Sequence, residues 1–259
     1  MNGWVDAHAH WAQAFPATSD SAALEKQMVI LQQQGMSQAI QGGVDPEDWT
    51  RQLELHQKYP LWIRPVLGLH PWWVKKHSLE QCKEALSQLE RFFCDHTDVI
   101  VALGELGVDF SKEGRATEEL QLFVFQQQLE LASRFQKPLI LHLVHGHEVA
   151  LRLLMKHAER QPLRGLVHAF SGSIEVARQY VSLGLKLSIG PGVSEAGRFL
   201  ALKKALPHLS PTDWVLESDG VGERFFRVVQ AVSGLTGRPP SEISEQTRLN
   251  LQEAGLLGA

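Results

Sequence analysis

Short apolar runs alternate along the chain with longer amphipathic segments, and this alternation repeats eight times. The apolar runs are typical of buried β-strands, and the amphipathic segments carry the capping residues and glycines that begin and end helices. The predicted strands lie within residues 1–10, 39–42, 63–67, 99–103, 139–142, 165–168, 185–190 and 214–217. The predicted helices lie at about residues 21–34, 45–58, 78–95, 117–134, 148–159, 173–183, 199–206, 224–235 and 241–254, the first of them capped at Ser19-Asp20-Ser21.

Eight strand–helix units in 259 residues, without a linker-like stretch between them, predict an α/β fold. The specific expectation is a (β/α)₈ TIM-type barrel that forms a single domain over residues 1–259. A doubly wound open sheet is the alternative. That fold more often places a glycine-rich phosphate loop after its first strand, and no G-x-G-x-x-G motif or P-loop occurs there.

Polar side chains stand at the ends of most predicted strands. In the first strand Asp6, His8 and His10 are two residues apart, so they share one face. Further polar residues end later strands at His70, Glu105, His142, His168 and Asp219. Because the carboxyl ends of barrel strands converge on one face, we expect all of these residues to meet in one pocket.

Four imidazoles and two carboxylates of this set suit a pair of divalent ions that share a carboxylate, with His70 left aside. The six candidate ligands are His8, His10, Glu105, His142, His168 and Asp219. Two ions of Zn, Mg or Mn can generate a hydroxide and clamp the attacking and leaving oxygens. The pattern therefore predicts hydrolysis, of a phosphoester first and of an amide or ester second.

Composition and charge restrict the partners of the protein. With 44% hydrophobic and 21% charged residues and a net charge of −4, the chain is typical of a globular protein without a broad basic surface. Contact with nucleic acid must then be local or metal-assisted. Nothing in the sequence indicates an obligate protein partner.

The start of the chain lacks the basic and apolar regions of a signal peptide, and no apolar run approaches the roughly 20 residues of a membrane-spanning helix. Cys82 and Cys94 fall in one predicted helix. Their separation there, about 18 Å, is too long for a disulfide bond. We therefore expect a cytoplasmic protein that does not associate with membranes.

Six short motifs coincide with these strand ends. They are Asp6-Ala7-His8-Ala9-His10, Gly68-Leu69-His70-Pro71, Gly104-Glu105-Leu106-Gly107-Val108-Asp109-Phe110, Pro138-Leu139-Ile140-Leu141-His142, His168-Ala169-Phe170-Ser171-Gly172 and Leu216-Glu217-Ser218-Asp219. Together they resemble the TatD family of metal-dependent hydrolases, a branch of the amidohydrolase-like barrels. The resemblance covers nearly the whole chain.

The resemblance implies a two-metal barrel enzyme with deoxyribonuclease activity, often exonucleolytic, on DNA ends or short oligonucleotides. It implies that His8, His10 and Asp219 hold one metal, that His142 and His168 hold the other, and that Glu105 bridges them. Glu105 and Asp219 are the expected catalytic residues, with Asp219 accepting a proton from the attacking water. The resemblance further implies that His70 contacts the phosphate or the leaving oxygen.

Two departures from the family pattern affect the substrate-binding side. Val144 stands where the family usually carries a basic residue, and Gly220-Val221-Gly222 replaces a longer loop after Asp219. The positive charge could come instead from Lys112, Arg115, Arg198 or Arg224. Two other functions therefore remain open, a two-metal hydrolase of a small amide, ester or lactone, and a metal-bound but catalytically idle binding protein.

Trp72 and Trp73 follow the Gly68-Leu69-His70-Pro71 turn, on the face where substrate would arrive. Aromatic side chains there can stack on unpaired bases. They can equally pack the loop onto the rim of the barrel. The sequence leaves both interpretations open.

Overall fold

The strands run parallel and follow one another around the structure in chain order. One sheet contains β1 (Trp4–Ala9), β2 (Met36–Gln41) and β3 (Ile63–Arg64). A second sheet contains β4 (Val66–Leu67), β5 (Ala102–Asp109), β6 (Leu139–Val144), β7 (Gly165–Val167), β8 (Lys186–Ile189) and β9 (Trp214–Leu216), each paired with the next. The computed structural model describes residues 3–19, 21–222 and 224–258. Met1 and Asn2 of the predicted first strand and Asp20 of the predicted first helix cap lie outside these ranges.

β3 and β4 are the two halves of the predicted strand at residues 63–67. Pro65 separates them because proline has no N–H to donate to a neighbouring strand. Its carbonyl still accepts a hydrogen bond from Val101 at 2.9 Å. Counted as one broken strand, the pair gives the eight strand positions that the sequence predicts.

The two edges of this succession meet where the chain begins and ends its strands. The Asp219 N–H donates to the His8 carbonyl at 3.1 Å, and the His10 N–H donates to the Gly220 carbonyl at 2.9 Å. The predicted (β/α)₈ barrel is therefore confirmed, with the seam between β1 and the segment after β9.

Helices connect the strands. They are α1 (Trp11–Ala14), α2 (Ser21–Gln33), α3 (Pro46–Lys58), α4 (Pro71–Val74), α5 (Leu79–His96), α6 (Glu118–Arg134), α7 (His147–Ala158), α8 (Ile174–Ser182), α9 (Leu200–Ala205), α10 (Arg224–Thr236) and α11 (Pro240–Glu253). The longer helices lie close to their predicted positions. The capping box predicted at Ser78 is present, with Gln81 as its partner. The short helices α1 and α4 are additions to the prediction.

The fourth predicted strand is wrong in its bounds. The prediction was residues 99–103, whereas β5 begins at Ala102 and continues past Glu105 to Asp109. Gly104-Glu105 resembles a strand end in the sequence, but every residue of β5 is buried and its second half pairs with β6. Pairing with a distant strand thus overrides the local signal.

Buried apolar side chains form two clusters. The larger one packs the helices against the strands, and the smaller one joins residues of seven strands to α11. Among the described residues, no helix is long and apolar enough to cross a membrane. Cys82 and Cys94 are both free, as the spacing along α5 predicts.

Candidate metal centre

The polar residues predicted to converge do lie together, around the carboxylate of Glu105. His8 lies in β1 and His10 just beyond it, Glu105 in β5, His142 in β6, and His70, His168 and Asp219 directly after β4, β7 and β9. All are buried except His10, which is partly exposed, and Asp219, whose side chain is 42% exposed. Seven residues from six strands thus form one cluster open on the side of Asp219.

Glu105 owes its position to an irregularity in β5. Gly104 is paired with Ile140 and Leu106 with Leu141, so Glu105 is an extra residue opposite the partner strand. Such a bulge interrupts the alternation of side chains and redirects one of them. The Glu105 N–H is satisfied outside this ladder, because it donates to the Gly43 carbonyl at 2.8 Å.

The two carboxylate oxygens of Glu105 face different imidazoles. Oε1 lies 3.4 Å from His8 Nε2 and 3.7 Å from His10 Nε2. Oε2 lies 3.2 Å from His142 Nδ1, 3.4 Å from His70 Nε2 and 3.6 Å from His168 Nε2. One carboxylate is therefore divided between two groups of nitrogen ligands.

The cluster fits divalent cations in ligand chemistry and in spacing. Three sets of residues each bring their ligand atoms within 4.8 Å of one another: His8, Glu105 and His168; His8, His10 and Asp219; and His70, Glu105 and His142. Imidazole nitrogens and carboxylate oxygens are common ligands of zinc and manganese. Among the described residues Glu105 Oε1 is buried without a hydrogen-bond partner, which a bound cation would satisfy.

The part of the cluster around His10 also has the spacing of a cation site. His8 Nε2 and His10 Nε2 are 3.2 Å apart, and His10 Nε2 is 3.4 Å from Asp219 Oδ1. Two imidazole nitrogens and a carboxylate oxygen that converge in this way suit a shared cation. Asp219 has a φ of +45°, a left-handed conformation that Asp tolerates better than most residues. Its carboxylate reaches the cluster from that turn.

The charges of the cluster are strongly coupled. Burial alone would raise the pKa of Glu105, but the imidazoles of His8 and His70 hold this pKa well below its usual value. Burial lowers the pKa of His70 to about 4, and the neighbouring His142 acts in the same direction. Burial also opposes the charge on His168, yet the carboxylates of Glu217 and Glu105 raise the pKa of this residue to about 10. Glu105 is therefore ionised at neutral pH.

Gly42, directly after β2, leaves room for this arrangement. A Cβ built at Gly42 would lie 2.3 Å from His8 Cε1 and 2.8 Å from Glu105 Oε1. Real Cβ atoms do not approach other atoms so closely. The absence of a side chain at residue 42 is thus a steric requirement of the site.

Glu217 was missed as a functional residue, although it belongs to the Leu216-Glu217-Ser218-Asp219 motif. It is fully buried, and its Oε1 lies 2.8 Å from His168 Nδ1 and accepts a hydrogen bond from the Ala169 N–H at 2.9 Å. The contact with His168 has the distance of an ion pair without the alignment of a hydrogen bond. Such a carboxylate behind an imidazole orients the ring toward a metal.

Asp6 stabilises the backbone near the candidate ligands. Its Oδ1 accepts hydrogen bonds from the Ser218 N–H at 2.9 Å and from the His8 N–H at 3.3 Å. It is absent from the three convergent ligand sets found in the described part of the chain. Asp6 therefore braces the seam beside His8.

His70 lies closer to the candidate ligands than the sequence indicates. It is only 3% exposed, and its Nε2 is 3.2 Å from His142 Nδ1. Its Nδ1 accepts the Trp72 N–H at 2.9 Å, which caps α4. The ring is thus fixed from one side and faces Glu105 with the other.

The two tryptophans after His70 behave differently. Trp73 is partly buried against the core and stacks on His77, with 3.7 Å between ring centroids. Trp72 is 52% exposed, donates from Nε1 to Asp109, and has its ring 5.8 Å from that of His142. Trp73 therefore packs the loop, and Trp72 is the aromatic surface beside the cluster.

The comparisons with known proteins point to one family. The family model described as TatD related DNase matches residues 5–254. Over 220 residues the chain is 32% identical to the uncharacterized metal-dependent hydrolase YjjV of Escherichia coli K12, covering 83% of this chain and 78% of that protein. Over 204 residues it is 27% identical to the 3'-5' ssDNA/RNA exonuclease TatD of Pectobacterium carotovorum, covering 78% and 75% of the two chains.

A solved structure supports the same relationship. The crystal structure of the TatD homologue YjjV of Escherichia coli K12 superposes with a TM-score of 0.85. The match covers 100% of both chains at 27% sequence identity.

Proposed function

The chain belongs to the TatD related DNase family, and on that premise we propose that it is a two-metal phosphodiesterase that removes nucleotides from DNA ends or short oligonucleotides. As a member of the family it is a metal-dependent hydrolase of ester bonds. The observation that carries the two-metal proposal is the division of Glu105, whose Oε1 faces His8 and His10 while Oε2 faces His70, His142 and His168.

We assign the residues to two positions. His8, His10 and Asp219 would hold one cation, His142 and His168 the other, and Glu105 would contact both. The burial of His70 and its 3.4 Å distance to Glu105 Oε2 support a place for it in the second set, rather than the substrate contact expected from the sequence. The cations would be Zn, Mg or Mn, in keeping with the nitrogen and oxygen donors.

The chain's own residues divide the work as follows. Bound divalent ions supply a nucleophile from water at neutral pH and neutralise charge on the phosphoryl oxygens. Asp219 is the exposed carboxylate of the cluster and borders the adjoining cavity, so it can accept the proton of the attacking water at its carboxylate oxygen. Glu217 holds the His168 ring in place, and Trp72 offers a face on which a base can stack.

The proposed reaction is tested with metal-loaded protein and single-stranded oligonucleotides labelled at the 5' or the 3' end. We expect stepwise shortening from one end, with the 3'-5' polarity that the name of the Pectobacterium relative carries. Glu105→Gln should abolish shortening, while Glu253→Gln, a surface pair with Lys186, should leave it unchanged. The metal content of the protein is measured, and the same preparation is assayed for hydrolysis of carboxylesters and lactones.

Three results would contradict the proposal. Turnover of a carboxylester or lactone without cleavage of DNA favours the small-molecule hydrolase. Bound metal with no turnover of either substrate class favours the idle binding protein. Cleavage that survives Glu105→Gln with the metal removed places the reaction elsewhere.

We also propose that residues 1–259 act as one domain in the cytoplasm. The family model spans residues 5–254 without a break. Cys82 and Cys94 are free, and Cys94 is exposed, which suits a reducing compartment. Secretion of the native protein with Cys94 oxidised would contradict this location.

A further inference from the structure

A cavity of about 580 Å³ opens beside the metal cluster. Its wall includes His142, His168 and Asp219, so a molecule in the cavity touches three of the candidate ligands. The size is within the range of pockets that hold small molecules, roughly 300 to 1,000 Å³. The cavity is therefore the place where the substrate on the Asp219 side of the cluster would lie.

The charge of this wall is unusual for a site that receives a phosphodiester. Asp219 and Glu195 contribute carboxylates, and Val144 contributes an apolar side chain. His147 also lines the cavity, but its Nδ1 is paired with the buried Tyr180 hydroxyl at 2.8 Å and burial lowers its pKa. Apart from the metal-binding cluster itself, an arginine in this wall would supply a positive charge that does not titrate near neutral pH.

Two arginines supply such a charge, Arg198 and Arg224, and their surroundings differ. Arg198 Nη1 is 2.8 Å from Glu195 Oε2, and its guanidinium lies over the Phe199 ring. Arg198 is thus neutralised within the wall. Lys112 and Arg115, the other cations considered from the sequence, do not line this cavity.

Arg224 lies at the beginning of α10 and is exposed. Within the described parts of the chain it forms no ion pair. Its Nη1 is 3.7 Å from the position that a Cβ of Gly220 would take. Gly220 directly follows Asp219, so the guanidinium stands beside the turn that carries the exposed carboxylate.

We propose that Arg224 is the substrate-binding cation of this enzyme and contacts a phosphate of a nucleotide that occupies the cavity. The inference rests on the proposed function and identifies the substrate as a phosphate-bearing one. A planar guanidinium binds phosphate oxygens in pairs, which a neutral wall residue such as Val144 cannot do. Arg224 acts on binding and orientation, and the cluster acts on the bond that breaks.

The experiment compares Arg224→Met and Arg224→Lys with one matched control. Arg227→Met removes the same charge one turn later on α10, at an exposed residue that borders a different surface depression. The probe is fluorescein-labelled (dT)₄ with phosphorothioate linkages, bound to metal-loaded protein and followed by fluorescence anisotropy at several salt concentrations. Metal content and thermal unfolding are measured for every variant.

Arg224→Met should weaken binding of the probe by about 10- to 100-fold, the range for a lost charge-assisted contact. The slope of log K against log salt should fall by about 0.7, the value for one phosphate contact on a single strand. Arg224→Lys should restore part of the affinity and the slope. Arg227→Met should change the affinity by less than about threefold.

Equal losses for Arg224→Met and Arg227→Met would overturn the inference, as would wild-type protein that fails to bind the probe. Failure of the proposed nuclease function gives a different result from failure of the Arg224 assignment. If the wild type binds the probe with the expected dependence on Arg224 but shortens no oligonucleotide, the assignment of Arg224 stands and the nuclease proposal falls. If the wild type shortens DNA and Arg224→Met does so with the same KM, the nuclease proposal stands and the assignment of Arg224 falls.

Discussion

His168 and Glu217, whose side chains are almost entirely buried, approach each other to 2.8 Å through Nδ1 and Oε1. The opposite nitrogen of His168, Nε2, is the one that faces Glu105 and Asp219. Glu217 thus fixes which edge of the ring is turned toward the cluster.

The first prediction concerns this pair. Glu217→Gln keeps the shape of the side chain but removes the charge that holds the ring, so we expect metal affinity to fall by about 10- to 100-fold. The measurement is competition for the metal with a chromophoric chelator. Glu253→Gln on the surface of α11 is the control and should bind metal as the wild type does. Unchanged affinity in Glu217→Gln would show that Glu217 only fills space.

The second prediction concerns Gly42. Gly42→Ala places a methyl group against the His8 ring and the Glu105 carboxylate, so these ligands must move. Overpacking of this kind costs about 1 to 3 kcal/mol of stability. We expect a lower unfolding free energy together with a loss of metal affinity, both measured on the same preparation.

Gly234→Ala is the matched control for Gly42→Ala. Gly234 lies in α10, and a Cβ there would meet nothing within 4 Å. Alanine favours the helix by about 0.5 to 1 kcal/mol, so this variant should be as stable as the wild type or more so. If both alanine variants bind metal equally well, the steric requirement at residue 42 is wrong.

The third prediction concerns pH and Asp48, in the first turn of α3. Asp48 Oδ2 accepts hydrogen bonds from the Val44 N–H at 3.0 Å and from Gln52 Nε2 at 2.8 Å, and burial raises the pKa of Asp48 to about 7. The folded protein therefore keeps this proton up to about pH 7, whereas the unfolded chain releases it near pH 4. Since the folded state binds more protons in this window, the contribution of Asp48 to stability is lost as pH rises from about 4 to 7.

Asp48→Asn removes this titration. The unfolding free energy of the variant relative to the wild type should rise by about 3 kcal/mol between pH 4.5 and pH 8, from about 1.4 kcal/mol per unit of pKa shift. Urea unfolding of both metal-free proteins across this range measures it. A difference that is constant with pH would mean that Asp48 is already ionised in the folded protein at low pH.

The fourth prediction concerns Trp72. Its exposed ring can stack on a base, an interaction of about 1 to 3 kcal/mol per base. Trp72→Leu should therefore weaken binding of (dT)₄ by about 5- to 150-fold, while Trp72→Phe keeps an aromatic face and should retain most of the affinity. Binding of inorganic phosphate should be the same in both variants. Equal affinity of the leucine and phenylalanine variants for (dT)₄ would exclude stacking.

The sequence predicts well what depends on neighbours in the chain. Local patterns predict the capping box of Ser78 and Gln81 and the bounds of α3. They also place the candidate ligands on strands or shortly after them. The continuation of β5 past Glu105 depends on pairing with β6, whereas the local signal at Gly104-Glu105 indicates the end of a strand. Hence the predicted strand end is wrong, while the role of Glu105 as a metal ligand stays a prediction.

The residues that hold the candidate ligands in place could not be predicted from the sequence, because they act through contacts across the barrel. The contact of Glu217 with His168 becomes visible only in the fold, where the segment after β9 places Glu217 behind the His168 ring. The choice between four candidate cations depended on which of them borders the cavity and which is already paired. A motif indicates the candidate metal ligands, whereas packing determines the residues that hold those ligands in place.

The seam between the first and last strands has a consequence for the synthesis of the protein. Asp6 and Ser218, which join there, are 212 residues apart, and His8 and Asp219 meet at the same place. During synthesis His8 and His10 are therefore made well before their carboxylate partner Asp219. A nascent chain that does not yet contain Asp219 therefore lacks part of the candidate metal site at this seam.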